Sequence, residues 1–217
     1  MAAWTQQEAA RELGVTQAYL SMVERGTRPV SPELASKAAQ VFAVPVTALP
    51  LGVYQSRPHD GFFFTSALGA LGYSGFAYLA GAVKMNPTEL LMDAVDSEDL
   101  DPRVTEALPW LPVKYPELDW EWLMRNAKMR DRQNRVAFIV SLASQVAEKR
   151  GDIALAKGLS DKVDKLERSR LAAEDTLCRE HMTHAERKWL RNHRSPAAEH
   201  WNLLTDLSTD QLEHAFL

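Results

Sequence analysis

Two helix starts and two helix stops stand within residues 5–26, and this punctuation constrains the fold more than any other feature of the chain. Thr5-Gln6-Gln7-Glu8 is a capping box: the Thr5 hydroxyl accepts from the third helical amide, and Glu8 reaches back to the Thr5 amide. Ala9, Ala10 and Leu13 then share one face, and Gly14 stops the helix because glycine enters the left-handed conformation at little cost. Thr16 caps a second helix, with Leu20 and Val23 inward, and Gly26 closes it. A short helix, a glycine stop and a capped helix two residues later set the second helix across the first. That is the geometry by which a helix enters the major groove of DNA. Ser31-Pro32 opens a third helix with Leu34, Ala38, Val41 and Phe42 inward, and residues 46–51 form a final turn expected to cover the same core.

Gly52, Ser56, Arg57-Pro58 and Asp60-Gly61 break any periodic pattern, so residues 52–62 read as a linker between a module at 1–51 and a larger domain at 63–217. Beyond the linker there is almost no period-2 alternation and no hairpin signal, so an all-α fold is expected. Asn86-Pro87, Asp101-Pro102, Asp119-Trp120 and Ser195-Pro196 open helices, and Thr183-His184-Ala185-Glu186 and Ser208-Thr209-Asp210-Gln211 are further capping boxes. Arg130–Lys149 and Asp152–Cys178 read as two long helices joined at Gly151, packing as an antiparallel hairpin. Val136, Ile139, Val140, Ala143 and Val146 form the inward face of the first.

Nothing in the composition points to a membrane or to disulfides. The longest charge-free stretch, 61–83, is interrupted by glycine, and the single Cys178 has no partner, so a cytoplasmic protein is expected. The net charge of -4, with four bases against four acids in residues 1–50, predicts weak non-specific DNA affinity and hence a homodimer on a two-fold operator.

The stretch from Thr5 to about Pro50 resembles the phage-repressor (XRE) class of helix-turn-helix, without the helix that usually precedes the one at Thr5. The resemblance implies that Gln6 donates to a phosphate. It places Thr16, Gln17, Ala18, Tyr19 and Ser21 on the exposed start of the recognition helix. There Gln17 suits adenine and Ala18 or Tyr19 a thymine methyl. Arg25 and Arg28 then pair with phosphate, and Glu24 is structural, holding the loop around Gly26.

In residues 89–121 ten acids face two bases, and in 122–150 seven bases face two acids. Two readings stand: helix faces that pair internally, or an acidic surface for a basic partner centred on Asp96, Glu98, Asp99 and Asp101. Trp110, Tyr115, Trp120 and Trp122 likewise fit core packing or an anchor cluster at an interface. N-P-T-E-L-L (86–91), L-D-W-E-W-L (118–123), R-D-R-Q-N-R (130–135) and H-W-N-L-L-T-D-L (200–207), among others, look like bacterial XRE-type regulators encoded beside nucleotidyltransferase-fold toxins. That resemblance implies an antitoxin whose partners are operator DNA and such a toxin, with no catalytic residues and no cofactor.

Cys178, His181 and His184 stand three apart, but Thr183 opens a new helix and breaks their register, so no metal is expected. Phosphate-loop, dinucleotide and hydrolase motifs are missing, and an enzyme is not expected. Two alternatives remain open. One is a one-component regulator whose helical domain binds a small molecule or peptide, in a pocket lined by Phe62, Phe63, Phe64 and Tyr73. The other is a scaffold with a vestigial helix-turn-helix.

Overall fold

The computed structural model describes residues 4–79 and 84–212, so the last four residues of the charge-free stretch lie outside the described residues. The chain is helical almost throughout. α1 (Gln6–Leu13), α2 (Gln17–Glu24) and α3 (Pro32–Val41) form the N-terminal module, followed by a short 3-10 turn at Val46–Ala48. α4 (Gly61–Ala70), α5 (Pro87–Asp96), α6 (Pro102–Ala107), α7 (Trp110–Lys114) and α8 (Trp120–Met129) lead to a long pair, α9 (Gln133–Lys149) and α10 (Ile153–Glu167). β1 (Asp175–Thr176), α11 (His184–His193), α12 (Pro196–His200) and β2 (Leu203–Leu204) complete it, with β1 and β2 pairing in parallel.

Most of the caps read from the sequence form. Thr5 and Thr183 each complete a capping box, and Thr16, Ser31, Asn86 and Ser195 accept from amides of the helices they open. α9 and α10 pack along one another across a turn at Gly151, φ 79°, and the Ser144 hydroxyl donates to the Ala156 carbonyl between them. The inward residues of α9, from Val136 to Val146, are buried in the larger core.

Three local expectations are corrected. Residues 130–132 form a turn, with Asp131 at φ 57°, so α9 begins at Gln133. α10 ends at Glu167, and residues 175–176 are extended. The reason lies in two polar side chains of α9. Asn134 donates to the Leu171 carbonyl and accepts from the Leu171 amide, and Arg135 binds Asp175 through two hydrogen bonds of 2.7 and 2.8 Å. These bonds hold the segment in a path a helix does not follow. At 208–212 no helix forms within the described residues, although the Ser208 amide donates to the Gln211 side chain.

Two cores are present among the described residues. A small one joins Ala9, Ala10 and Leu13 of α1 to Leu20 of α2 and Leu34 of α3. A large one runs from Phe64 to Leu212, with α9 fully buried through its first half.

The stretch between them is tied to the large core. Val46, Leu51 and Tyr54 pack against that core, so the turn at 46–48 covers the large core and leaves the small one to α1–α3. Asn86 Nδ2 donates to the carbonyls of Thr47 and Leu49, Trp122 Nε1 donates to the Gly52 carbonyl, and the Tyr54 hydroxyl donates to Asp96. Residues 46–60 therefore form a strap held along α5 and α8.

Candidate nucleic-acid interface

α2 lies with Leu20 in the small core and its opposite face outward, so Gln17 and Ala18 are exposed and Ser21 is half-buried. Thr16 spends its hydroxyl on the Tyr19 amide as the cap of α2, at 3.2 Å. Tyr19 leans on the core, and the Arg28 guanidinium stands 5.8 Å from its ring centroid, so Tyr19 supports Arg28 from below.

The start of α2 carries a connected polar chain. Gln17 Nε2 donates to Gln6 Oε1 at 3.3 Å, and Gln6 Nε2 donates to Glu24 Oε2 at 2.6 Å. A glutamine amide has two hydrogens and a carbonyl oxygen. After its bond to Gln6, Gln17 keeps one N–H and its carbonyl oxygen, the pair an adenine edge requires. Gln6 likewise keeps one N–H for an acceptor such as phosphate. Sequence reasoning placed Glu24 at the loop around Gly26, and this is corrected: Glu24 anchors Gln6. The loop is held by Met22, whose carbonyl accepts from the amides of Thr27 and Arg28 and from the Thr27 hydroxyl. Gly26, at φ 69°, makes that turn.

Arg25 donates through Nε to the Ser21 carbonyl, which leaves its terminal amino groups free to meet an anion. Arg25 and Arg28 are both exposed and lie just after α2. Trp4 packs edge-on against Phe42 with ring centroids 5.5 Å apart, over the ends of α1 and α3.

The second group of candidates is not brought together as a docking surface. Trp110 and Trp122 are 9% and 7% exposed, and both belong to the large core. Trp110 sits edge-on to Tyr73 and Tyr115, and Trp122 edge-on to Tyr54. Trp120 is half-buried, donates to the Pro116 carbonyl and lies beneath Lys162. Large rings in edge-on contact fill the space between these short helices, so the anchor reading of Trp110 and Trp122 is corrected.

Asp96 is also turned inward. Its side chain is 7% exposed and faces Arg130 at 3.4 Å and Arg132 at 3.5 Å, where the acidic run meets the basic run. Asp101 caps α6 through the Arg103 amide, and Asp99 binds the ring and amide of His181. Glu98 and Asp99 remain exposed.

Sequence reasoning missed the centre of the large domain. Arg135 is fully buried, and its donors reach Asp175, the carbonyls of Val95 and Ser97, and Glu180 at 3.3 Å. Hydrogen bonds to Asp175 and the nearby negative charges hold the guanidinium protonated against the cost of burial. Only the placement of a cation at the head of the apolar run Val136-Ala137-Phe138-Ile139-Val140 hinted at it. Cys178 is buried beside it, with Sγ donating to the Ala94 carbonyl, while His181 is at the surface with Asp99 and His184 begins α11.

Phe62 and Phe63 line a cavity, whereas Phe64 and Tyr73 lie in the core. No described helix is long and apolar enough to cross a membrane.

Comparison with curated proteins and with solved structures gave no match. Residues 2–49 match the family model for the helix-turn-helix of the XRE type. The N-terminal module is therefore an XRE-type helix-turn-helix, with α2 as its second helix, in front of a larger helical domain.

Proposed function

We propose that the chain is a sequence-specific transcriptional repressor that reads operator DNA with the outer face of α2. The observation that carries this is the Gln17–Gln6–Glu24 chain on the exposed start of α2, inside the segment that matches the helix-turn-helix family. Fixing one amide hydrogen of Gln17 before DNA arrives lowers the side-chain entropy lost on binding. Gln6 then links base reading to the phosphate. Arg25 and Arg28 supply charge where the DNA backbone passes, and the module's balanced charge makes two copies on a two-fold site the working unit. Replacing Arg28 by Ala should weaken binding to every duplex alike and lower the salt slope by about one. An unchanged salt slope would contradict that role.

In the finer reading the protein is an antitoxin, and residues 63–217 neutralise a nucleotidyltransferase-type toxin by direct binding. Its support is the resemblance of the helical segments, together with a domain whose core far exceeds that of the DNA module. Of the acids considered for a basic partner, Glu98, Asp99 and Asp101 stay at the surface, with Asp99 paired to His181 and Asp101 capping α6, and Trp120 is half-exposed beside α10. Replacing Glu98 and Asp99 together by Lys in the full chain should slow association with the neighbouring gene's product and reduce its salt sensitivity. Failure of the two proteins to co-purify would remove the antitoxin reading and leave the repressor.

A further inference from the structure

The segment at 57–60, α4 and the start of α5 line an open cavity of 520 Å³. That volume lies in the range of small-molecule sites, about 300–1,000 Å³. Its walls combine Phe62, Phe63 and Met85 with Glu89, Asp93 and His59. Glu89 and Asp93 are one turn apart on α5 and so present their carboxyls to the same side.

The two carboxyls are engaged to different degrees. Glu89 has no hydrogen bond or ion pair among the described residues. Asp93 is 6% exposed at its side chain and is met by His59 Nε2 at 3.2 Å and by the Tyr54 hydroxyl. His59 is kept in that place by stacking on Phe63, with ring centroids 3.8 Å apart. A third acid, Asp60, is committed to the Phe63 amide as the cap of α4. Among the described residues of the lining, Arg57 is the one fixed cation. The acids thus outnumber the fixed cation, and the field in the cavity favours a positive guest. Phe62, 60% exposed, offers an open ring face beside these carboxyls, an arrangement that attracts an organic cation. A bare metal ion finds no group of three ligating side chains among the described residues.

We propose that this cavity binds a small organic amine, its ammonium group between Glu89 and Asp93 and its apolar body against Phe62, Phe63 and Met85. The ammonium supplies Glu89 with a partner that it lacks among the described residues and adds to the bonds on Asp93, and the apolar walls reject a hydrated inorganic cation. Burial, aided by the Glu89 charge, pushes the Asp93 carboxyl up to about 6, with His59 and Tyr54 opposing the rise. An arriving ammonium favours the ionised form, so occupation near that pH expels a proton. The site lies on the strap that leads from the DNA module. Its occupation does not depend on the DNA reading.

Isothermal titration of the full chain with phenethylamine, beside 3-phenylpropionate as the same body with the opposite charge, tests this. The amine should bind with a dissociation constant of about 1 mM or tighter, and the acid should give no heat of binding. Glu89→Gln and Phe62→Ala should each weaken the amine by roughly tenfold with unchanged thermal midpoints. Near pH 6, titration in buffers of different ionisation enthalpy should report proton release on binding. Absence of amine binding, equal binding of the acid, or an unaltered affinity in Glu89→Gln would each overturn the proposal. DNA takes no part in the titration, so failure here leaves the helix-turn-helix reading standing.

Discussion

Arg135 has no contact with solvent, yet every direction in which its guanidinium donates is met by an acceptor: a carboxylate pair, two carbonyls and a second carboxylate. Such a group specifies where β1 must lie, because no other residue of the strand offers Asp175's two oxygens. Arg135→Met should leave Asp175 and the carbonyls of Val95 and Ser97 without their donor and cost about 3–5 kcal/mol in urea unfolding. A loss of under about 1 kcal/mol would show that the network is replaceable. Beside it, burial pushes the Cys178 thiol up to about 11, so the thiolate is scarce in the folded protein. Iodoacetamide should modify Cys178 only at the rate of unfolding, and rapid labelling of the native chain would contradict its burial. Asp93 gives a pH signature. Its carboxyl sits at about 6 in the fold against 3.8 for the free group, so the folded state holds the proton more tightly. The stability this brings is full below the unfolded value and is lost as pH rises through about 6. Asp93→Asn should flatten the fall in thermal midpoint across that window.

At the scale of elements, caps carried most of the sequence signal, because a cap is a local bond between residues two or three apart. The helix starts at Thr5, Thr16, Ser31, Asn86, Thr183 and Ser195 follow from that locality. What the sequence could not reveal depends on partners far along the chain. The end of α10 is decided by Asn134 and Arg135, some forty residues earlier, and the strap by Asn86 and Trp122. The candidate interface divided in the same way. Capping and spacing exposed α2, whereas the burial of Trp110, Trp122 and Asp96 needed the tertiary fold. Close packing also sets limits that no pattern announces. A Cβ at Gly69 would stand 2.4 Å from the Phe76 carbonyl oxygen, a backbone atom with nowhere to go. Gly69→Ala should therefore cost about 1–3 kcal/mol despite the better helix propensity of alanine. A gain in stability would mean that α4 and the turn at 74–76 separate freely.

The whole molecule is built on unequal cores. Among the described residues, five buried apolar side chains hold α1–α3, while the large core gathers residues from α4 to Leu212. Local opening should follow that inequality, with amides of α1–α3 exchanging before those of α9 in native-state hydrogen exchange. A small module on a strap clamped to a large body suits a protein whose DNA contact is one helix and whose bulk serves another task. Everything in that account rests on α2 reading bases through Gln17. Selection of duplexes from a random library by the full chain, and by its Gln17→Ala variant, tests this most directly. The account predicts that the wild type enriches a short motif and that the variant loses discrimination at one base pair of it, about 1–3 kcal/mol. Failure to enrich any motif, or the same motif at the same strength from both proteins, would contradict it.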